Sequence, residues 1–491
     1  MRQNDEQLTP SLLEPQSKGG DIAESGFSFQ DNILMARIPA WLAKEGFTNM
    51  IRESIGDIEA NFFIPGSGFI KEFLEVKNHS LTPTEFWKEI KRFQDVDAGT
   101  PGTYRWFTLV SAGLSTDLKP LVNGLRRLRD PYYFYDNASG VTENSFQDYI
   151  KIVEKLGKDE QLAQFLFEKV LIEHDYSTAQ SHGEALFRQS LIDHLPEYQD
   201  LPNRTLTDIY AAFLKLIRQR KNQPISRKEI ENKIFEKIDK RYISTVNPVS
   251  IFTLHKENEE IQAIASLSFN WAAFFGGETR TYPPAKQWNQ QLLGELEQTR
   301  KWITEHRSIR RIRLTGNRRL SASLAIGAVF SAVAGFAVEM EYRGEIWSTD
   351  THPNSSTPEY SLSVQKVGDS GEQLIVTVGI IRDIAADVQA ALEQHGLVGM
   401  PILHIYGQDA IISPEQANLA VKKIKNLVSD TLATTESKQI HLFLASPAHF
   451  ALFLGHRLNA IAPVQCYEWA SPQHYTQTCV LFCKDNALDI D

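Results

Sequence analysis

Residues 56–77, GDIEANFFIPGSGFIKEFLEVK, alternate apolar and polar positions on either side of a Pro-Gly-Ser-Gly turn, which predicts a β-hairpin. On its first strand Ile58, Ala60, Phe62 and Ile64 share one face, and Asp57, Glu59 and Asn61 the other. On its second, Ile70, Leu74 and Val76 lie opposite Glu75 and Lys77. Helical spacing of Phe29, Ile33, Leu34, Ala40 and Trp41 predicts a helix within 26–45. Thr82, Pro83 and Glu85 supply an N-cap, a first-turn proline and a capping-box partner for a helix over 80–94. Residues 103–111 read as a third strand, and the charged stretch 141–245 as helical, without strand patterning.

From about residue 250 the pattern changes to strands alternating with helices. LIVTVGI (374–380), PILHIYG (401–407) and QIHLFLA (439–445) are apolar β-rich runs, and 414–432 is an amphipathic helix, which together favour a mostly parallel sheet covered by helices. The region also repeats itself. Ile312, Leu314, Leu324, Gly327 and Trp347 recur as Ile440, Leu442, Leu452, Gly455 and Tyr475, each 128 residues later. Residues 320–338, LSASLAIGAVFSAVAGFAV, have the length of a membrane span, but their echo carries His449, His456, Arg457 and Asn459. A buried helix and strand is therefore the better expectation.

The 491 residues suggest about three structural units. A formal charge of −10 repels nucleic acid and anionic membranes, so an anionic partner needs a local basic patch. Residues 215–241 provide one, with ten Lys+Arg against four Asp+Glu, a local +6; Arg218, Arg220, Lys221, Arg227 and Lys228 are candidate DNA contacts, against the alternative of a solvated helix face. Three cysteines, Cys466, Cys479 and Cys483, are too few for a disulfide framework and lack a clear fourth zinc ligand, which points to a reducing cytoplasm. The polar N-terminus shows no secretory signal and reads as a flexible lead-in over 1–20.

The hairpin's charged face carries the candidate chemistry. Keeping both apolar faces on one core requires a three- or five-residue loop. Three residues would set Asp57 across from Lys77 and Glu59 across from Glu75; five would set Asp57 across from Glu75. Either register gathers three carboxylates and one ammonium, an arrangement that costs stability unless a divalent cation sits there. Magnesium fits, since it takes one or two carboxylates, keeps several waters and leaves room for a phosphate oxygen. The alternative is a solvent-facing hairpin with paired surface charges.

GDIE (56–59) and EVK (75–77), followed by a helix, resemble the PD-(D/E)xK core of restriction-type endonucleases. The fuller text, GFSFQ, GDIE and EVKNHSLTPTEFWKEIKRF, resembles nuclease domains fused to sensors in bacterial anti-phage signalling. The resemblance implies Asp57, Glu75 and Lys77 as catalytic residues, with Glu59 and Gln30 as helpers. Gly56 stands where the family's leading proline would be, so either Asp57 or Glu59 is the principal metal ligand beside Glu75. Residues 311–330 and 441–469, with Tyr475, resemble a SAVED domain, two fused CARF-like halves that sense cyclic oligonucleotides. The pairing resembles the DNA-degrading effector of CBASS, a cyclic-oligonucleotide anti-phage system.

The implied protein is α/β: a restriction-endonuclease-like core over 21–140, a helical extension over 141–249, and two CARF/Rossmann-like halves over about 250–365 and 366–491. The implied activity is a magnesium- or manganese-dependent double-stranded DNA endonuclease. Its trigger would be a cyclic oligonucleotide, a cyclic trinucleotide in particular, that drives self-association. Within the sensor, the turn Thr315-Gly316-Asn317-Arg318-Arg319 offers amides at a helix start and two cations for a phosphate, and Ser446 and Pro447 lie in its echo. Trp271, Tyr282, Trp347, Tyr467 and Tyr475 are candidates to stack on bases, against the alternative of ordinary packing. The six arginines between 307 and 319 could equally form a solvated strand edge. A ligand-gated, non-enzymatic scaffold and an RNA-directed nuclease are the competing readings.

Overall fold

The computed structural model describes residues 15–130, 139–179, 182–238, 247–255, 265–276, 282–459 and 461–482. The chain divides into two compact units, one of residues 1–63 and 69–244, the other of 64–68 and 245–491. The first begins with α1 (Pro15–Leu42), so residues 15–20 of the expected lead-in are helical, and residues 1–14 lie outside the described residues. Then come β1 (Phe47–Arg52), β2 (Ile58–Ile64), β3 (Gly68–Leu81), α2 (Pro83–Gly99) and β4 (Tyr104–Leu114). Helices α3 (Lys119–Arg129), α4 (Ser139–Lys155) and α5 (Glu160–Lys169) lead to β5 (Val170–Glu173). The unit continues through α6 (His182–His194), α7 (Asn203–Gln219), β6 (Pro224–Ser226) and α8 (Arg227–Phe235).

The sheet order is β5-β4-β3-β2-β1-β6. The stretch expected to be purely helical thus supplies both edge strands. At three and four residues, β6 and β5 are too short for alternation to show in sequence. β2 and β3 are joined across the three residues Pro65–Ser67, with Ser67 N–H donating to Ile64 O at 3.1 Å; counted outward from Ile64 and Gly68, Asp57 falls opposite Glu75, the register expected of the longer loop. Ile58, Ala60, Phe62, Leu74 and Val76 pack with α1, α6, α7 and α8, as the alternation predicts. The other face is covered too, by Phe86, Ile90 and Phe93 of α2 and by residues of α3, α4 and α5 around Phe73 and Phe107. The hairpin is therefore not a solvent-facing ribbon: Glu59 and Glu75 are 1% and 5% exposed. Thr82 and Glu85 form the expected capping box, which fixes where α2 starts behind β3.

The second unit holds two sheets. The first half runs β7 (Val249–Leu254), β8 (Leu267–Asn270) and the short α9 (Ala285–Gln287), which continues through a π-helical turn at 288–293 into α10 (Gly294–His306). It ends with β9 (Arg311–Gly316), α11 (Leu320–Val329), β10 (Ala337–Tyr342) and β11 (Glu345–Ser348), in the sheet order β11-β10-β9-β7-β8. The second half runs β12 (Ser363–Val367), β13 (Gln373–Ile380), α12 (Ala385–Ala391), β14 (Ile402–Gly407) and α13 (Pro414–Thr435). It closes with β15 (Gln439–Ala445), α14 (Ala448–Arg457), β16 (Val464–Ser471) and β17 (His474–Leu481), in the order β12-β14-β13-β15-β16-β17. In both halves a strand, a helix, a parallel strand and an antiparallel strand follow one another, β9-α11-β10-β11 and β15-α14-β16-β17.

The repeat extends to atoms. A Cβ on Gly327 would lie 2.2 Å from Leu452 O, and one on Gly455 would lie 2.1 Å from Leu324 O. Leu324 and Leu452 are echo positions, as are Gly327 and Gly455, so one contact is made twice about a pseudo-two-fold axis. This explains the composition of 320–329: α11 is buried from Ser321 to Gly327, and small residues let its backbone touch α14. The stretch is a ten-residue helix ending at Val329, and no helix among the described residues is long and apolar enough to cross a membrane.

Gly327→Ala and Gly455→Ala are each expected to destabilise the protein by roughly 1–3 kcal/mol through overpacking. Helix propensity alone would favour alanine by up to about 1 kcal/mol, so the sign is diagnostic. Urea unfolding of both variants checks it; a gain in stability would contradict the reciprocal contact.

Candidate functional site

Asp57 lies just before β2, while Glu75 and Lys77 point from one face of β3. The Val76 amide, between those two, donates to Asp57 Oδ2 at 2.7 Å, and Gln30 Nε2 of α1 donates to Oδ1 at 2.7 Å. Glu75 is held from two sides, by Lys77 Nζ at 2.8 Å and by an Arg92 guanidinium nitrogen at 2.9 Å. Both cations also meet Glu89 of α2, at 3.0 and 3.2 Å. Glu75, Lys77, Glu89 and Arg92 thus close a ring of two carboxylates and two cations, with Asp57 beside it. Gly56 precedes Asp57 because a Cβ there would lie 2.4 Å from the Phe73 ring, which leaves no room for proline.

Burial, and then the neighbouring charge of Glu75, raise the Asp57 pKa to about 6. Lys77 moves up as well: burial opposes its charge, but hydrogen bonds and attraction from Glu75 and Glu89 outweigh that. Glu59 stands apart. Its oxygens accept from Tyr104 OH at 3.0 Å and Lys71 Nζ at 3.3 Å, so it braces the sheet rather than joining Asp57 and Glu75. Among the described residues no group of three or more His, Cys, Asp or Glu is arranged to hold a metal ion. Asp57 and Glu75 remain as a two-carboxylate set, which suits a magnesium ion that keeps several of its waters. Glu89 and Arg92 escaped the sequence reading; the available signal was a carboxylate inside the apolar stripe Phe86, Ile90, Phe93 of α2.

Of the expected phosphate-contact residues Arg227 is buried, while Arg218, Arg220 and Lys221, whose side chains are 51%, 42% and 53% exposed, form ion pairs. Arg227 pairs with Glu231 at 2.6 Å and donates to the Leu42 and Lys44 carbonyls. Arg218 pairs with Asp31, Arg220 with Glu229 and Lys221 with Glu53, at 2.9, 2.8 and 2.6 Å. Lys228 is exposed. Local charge therefore overstated the available positive surface, because the countercharges Asp31 and Glu53 come from distant sequence.

In the second unit a cavity of about 460 Å³ lies at the carboxyl ends of β13 and β15. The connection from β13 leaves toward β14 on one side and that from β15 toward β16 on the other, so this is a topological switch point. Arg319, Ser446, Pro447, Tyr282 and Tyr475 line it, as expected. Ile381, Arg382, Glu468 and Trp469 also line it and were missed. Arg319 sits over the Tyr282 ring at 5.7 Å and Arg382 over Trp469 at 5.9 Å, so two cation-aromatic pairs face the space.

The remaining sensor expectations are corrected. Thr315, Gly316, Asn317 and Arg318 brace the end of β7: Asn317 N–H donates to Thr253 O at 2.9 Å, and Arg318 folds back to Gly316 O at 3.0 Å. Gly316 has φ +76°, and a Cβ there would lie 2.1 Å from Thr253 O. The start of α11 is already occupied, since buried Glu468 accepts from Ser321 N–H at 2.8 Å. Trp271, Trp347 and Tyr467 are core residues, bonded to Glu295, packed on His449 and stacked on Phe443 respectively. Arg311 and Arg313 lie on β9, the central strand of its sheet, and pair with Asp350 and Glu339 rather than forming a solvated strand edge. Cys466 and Cys479 are buried, and Cys483 lies outside the described residues.

Residues 295–481 match the family model of the SMODS-associated and fused to various effectors sensor domain, SAVED. CD-NTase-associated protein 4 of an Acinetobacter species is 30% identical over 470 residues, 95% of this chain and 98% of that protein. The chain belongs to the CD-NTase-associated protein 4 family. The Moraxella osloensis member is 28% identical over 95% of this chain and 98% of its own. The Cap4 receptor of Acinetobacter baumannii, a SAVED/CARF-domain protein solved with 2′3′3′-cAAA, superposes with a TM-score of 0.81 at 26% identity, covering 93% of this chain and 98% of that one. The Moraxella osloensis Cap4 structure gives 0.76 at 27% identity, covering 93% and 99%.

In this Cap4 relative the raised Asp57 pKa makes a signed prediction. A folded-state pKa above the unfolded value means that ionising Asp57 costs stability as pH rises from about 4 to about 6. Asp57→Asn is expected to stabilise the metal-free protein by roughly 1–3 kcal/mol at pH 8, and by almost nothing at pH 4. Denaturant unfolding at the two pH values in EDTA checks this.

Proposed function

We propose that this chain is a second-messenger-activated, metal-dependent endonuclease of bacterial anti-phage defence that cuts double-stranded DNA. The single observation that carries the reading is the assembly of Asp57, Glu75 and Lys77 around the Val76 amide, two carboxylates and an ammonium held against their own repulsion and burial. That arrangement is consistent with the PD-(D/E)xK resemblance at Asp57, Glu75 and Lys77, with Gly56 in place of the motif's proline. Asp57 and Glu75 would hold magnesium, or manganese in its place. When bound, the ion supplies Lewis acidity and charge neutralisation at the scissile phosphate.

The chain's own groups do the rest. Lys77 is an ammonium whose raised pKa bars it from acting as a base near neutral pH. Two of its three N–H bonds are used on Glu75 and Glu89, and the third is left to orient a water or steady charge developing on a phosphate oxygen. Gln30 and the Val76 amide fix Asp57 so that its carboxylate cannot rotate away. Glu89 and Arg92 set the positions of Lys77 and Glu75 from behind.

The sensor reading rests on the cavity at the switch point and on the relative solved with cyclic trinucleotides. Arg319 and Arg382 suit phosphates, and the aromatic and aliphatic walls suit bases. Binding gates cleavage only if the ligand prefers the active state, which we take to be a self-associated one.

The test is plasmid cleavage with magnesium, with and without cyclic trinucleotides. Lys77→Ala is expected to reduce cleavage by at least about a hundredfold, the scale of losing one preorganised charge donor, while leaving nucleotide binding unchanged. EDTA should abolish cleavage. Nucleotide binding without cleavage in the unmodified protein would favour the scaffold reading, and cleavage of RNA alone would change the substrate.

A further inference from the structure

β13 is buried from Leu374 to Ile380, and the chain then turns sharply at its end. Ile381 adopts φ +71°. In that left-handed region a β-branched side chain crowds its own backbone, at a cost of about 1–3 kcal/mol. A residue so placed usually repays the cost in the core, but Ile381 does not: it is 54% exposed, against 3% for Ile380.

The turn is fixed without help from this side chain. Ile381 N–H donates to Gly407 O at 2.7 Å. Gly379 lets Arg382 O approach to where a Cβ would be 2.2 Å away. Beyond it, Asp383 accepts from Ala385 N–H at 2.9 Å and faces His404 at 3.2 Å. Glycine at 381 would keep every one of these bonds and remove the strain. The isoleucine is thus unfavourable for the backbone and unused by the core, yet the residue is exposed and lines the cavity between Ile380 and Arg382.

We infer that Ile381 is a ligand-binding residue of the sensor, held out as an apolar platform for one base of the bound cyclic oligonucleotide while the adjacent Arg382 faces a phosphate. The inference rests on the cavity being the oligonucleotide site proposed above. An aliphatic platform reads a base by its flat apolar face, so removing it weakens binding without touching the phosphate contact.

Calorimetric titration of the full-length protein with 3′3′3′-cAAA and 2′3′3′-cAAA tests this, together with thermal unfolding in the absence of ligand. Ile381→Gly is expected to unfold at the same or a higher temperature than the unmodified protein and to bind about tenfold more weakly, as for the partial loss of one buried aliphatic contact. Ile381→Val, which keeps a branched apolar surface, should bind within about twofold of the unmodified protein on the same reasoning. Full affinity in Ile381→Gly would overturn the inference. So would a lowered unfolding temperature, which would make the side chain structural. If Arg382→Ala loses binding while Ile381→Gly keeps it, the cavity stands as the site and the platform falls. If the folded, unmodified protein binds neither probe, both fall.

Discussion

A sheet covered by helices on both faces has no inexpensive place for charge, yet the first unit puts Glu59, Glu75 and Glu89 inside. Each buried carboxylate must be paired or it would be protonated. Glu59 is answered by Lys71 and Tyr104, and Glu75 and Glu89 by Lys77 and Arg92. Among the described residues Asp57 forms no ion pair, and burial and then the charge of Glu75 push its pKa upward. The burial that makes the sheet stable is therefore also what raises the Asp57 pKa, so fold and proposed chemistry share one electrostatic constraint.

The same constraint explains what could be read from sequence. Period-two alternation placed Asp57, Glu75 and Lys77 opposite an apolar face, and that face does pack on α1 and α6 to α8. Alternation says nothing about whether the polar face is also covered, so Glu59 looked equivalent to Glu75. Its partners Lys71 and Tyr104 sit 12 and 45 residues away. Arg218 and Lys221 misled in the same manner: a local count of charge cannot include Asp31 or Glu53, which reach them only through the fold. The two short edge strands were lost because their runs are too brief for a period to register, and β1, FTNMIR, because its apolar positions do not alternate.

In the sensor, repetition was legible where it concerned packing and only partly legible where it concerned the ligand. Leu324, Gly327, Leu452 and Gly455 must conserve their contact for the two halves to dock, so the 128-residue offset survives in them. Of the residues read from the same symmetry, Arg319, Ser446 and Pro447 line the cavity and Thr315 to Arg318 do not. The turn 315–318 folds onto β7, and the cavity draws its walls mainly from the second half.

The reason for that asymmetry is a single pair of echo positions. Glu468 corresponds to Met340 at the offset of 128. On one side of the pseudo-axis a carboxylate crosses between the halves and satisfies the first turn of α11 through Ser321 N–H. On the other side a thioether lies near Arg318 at 3.6 Å and offers α14 no such acceptor. Both helix starts meet the cavity, but that of α11, beside Arg319 and Leu320, already holds Glu468, whereas that of α14 presents Ser446 and Pro447. Two halves built by one repeat thus present unlike ends to a ligand, and a ring of identical nucleotides would meet a different surface at each of its units.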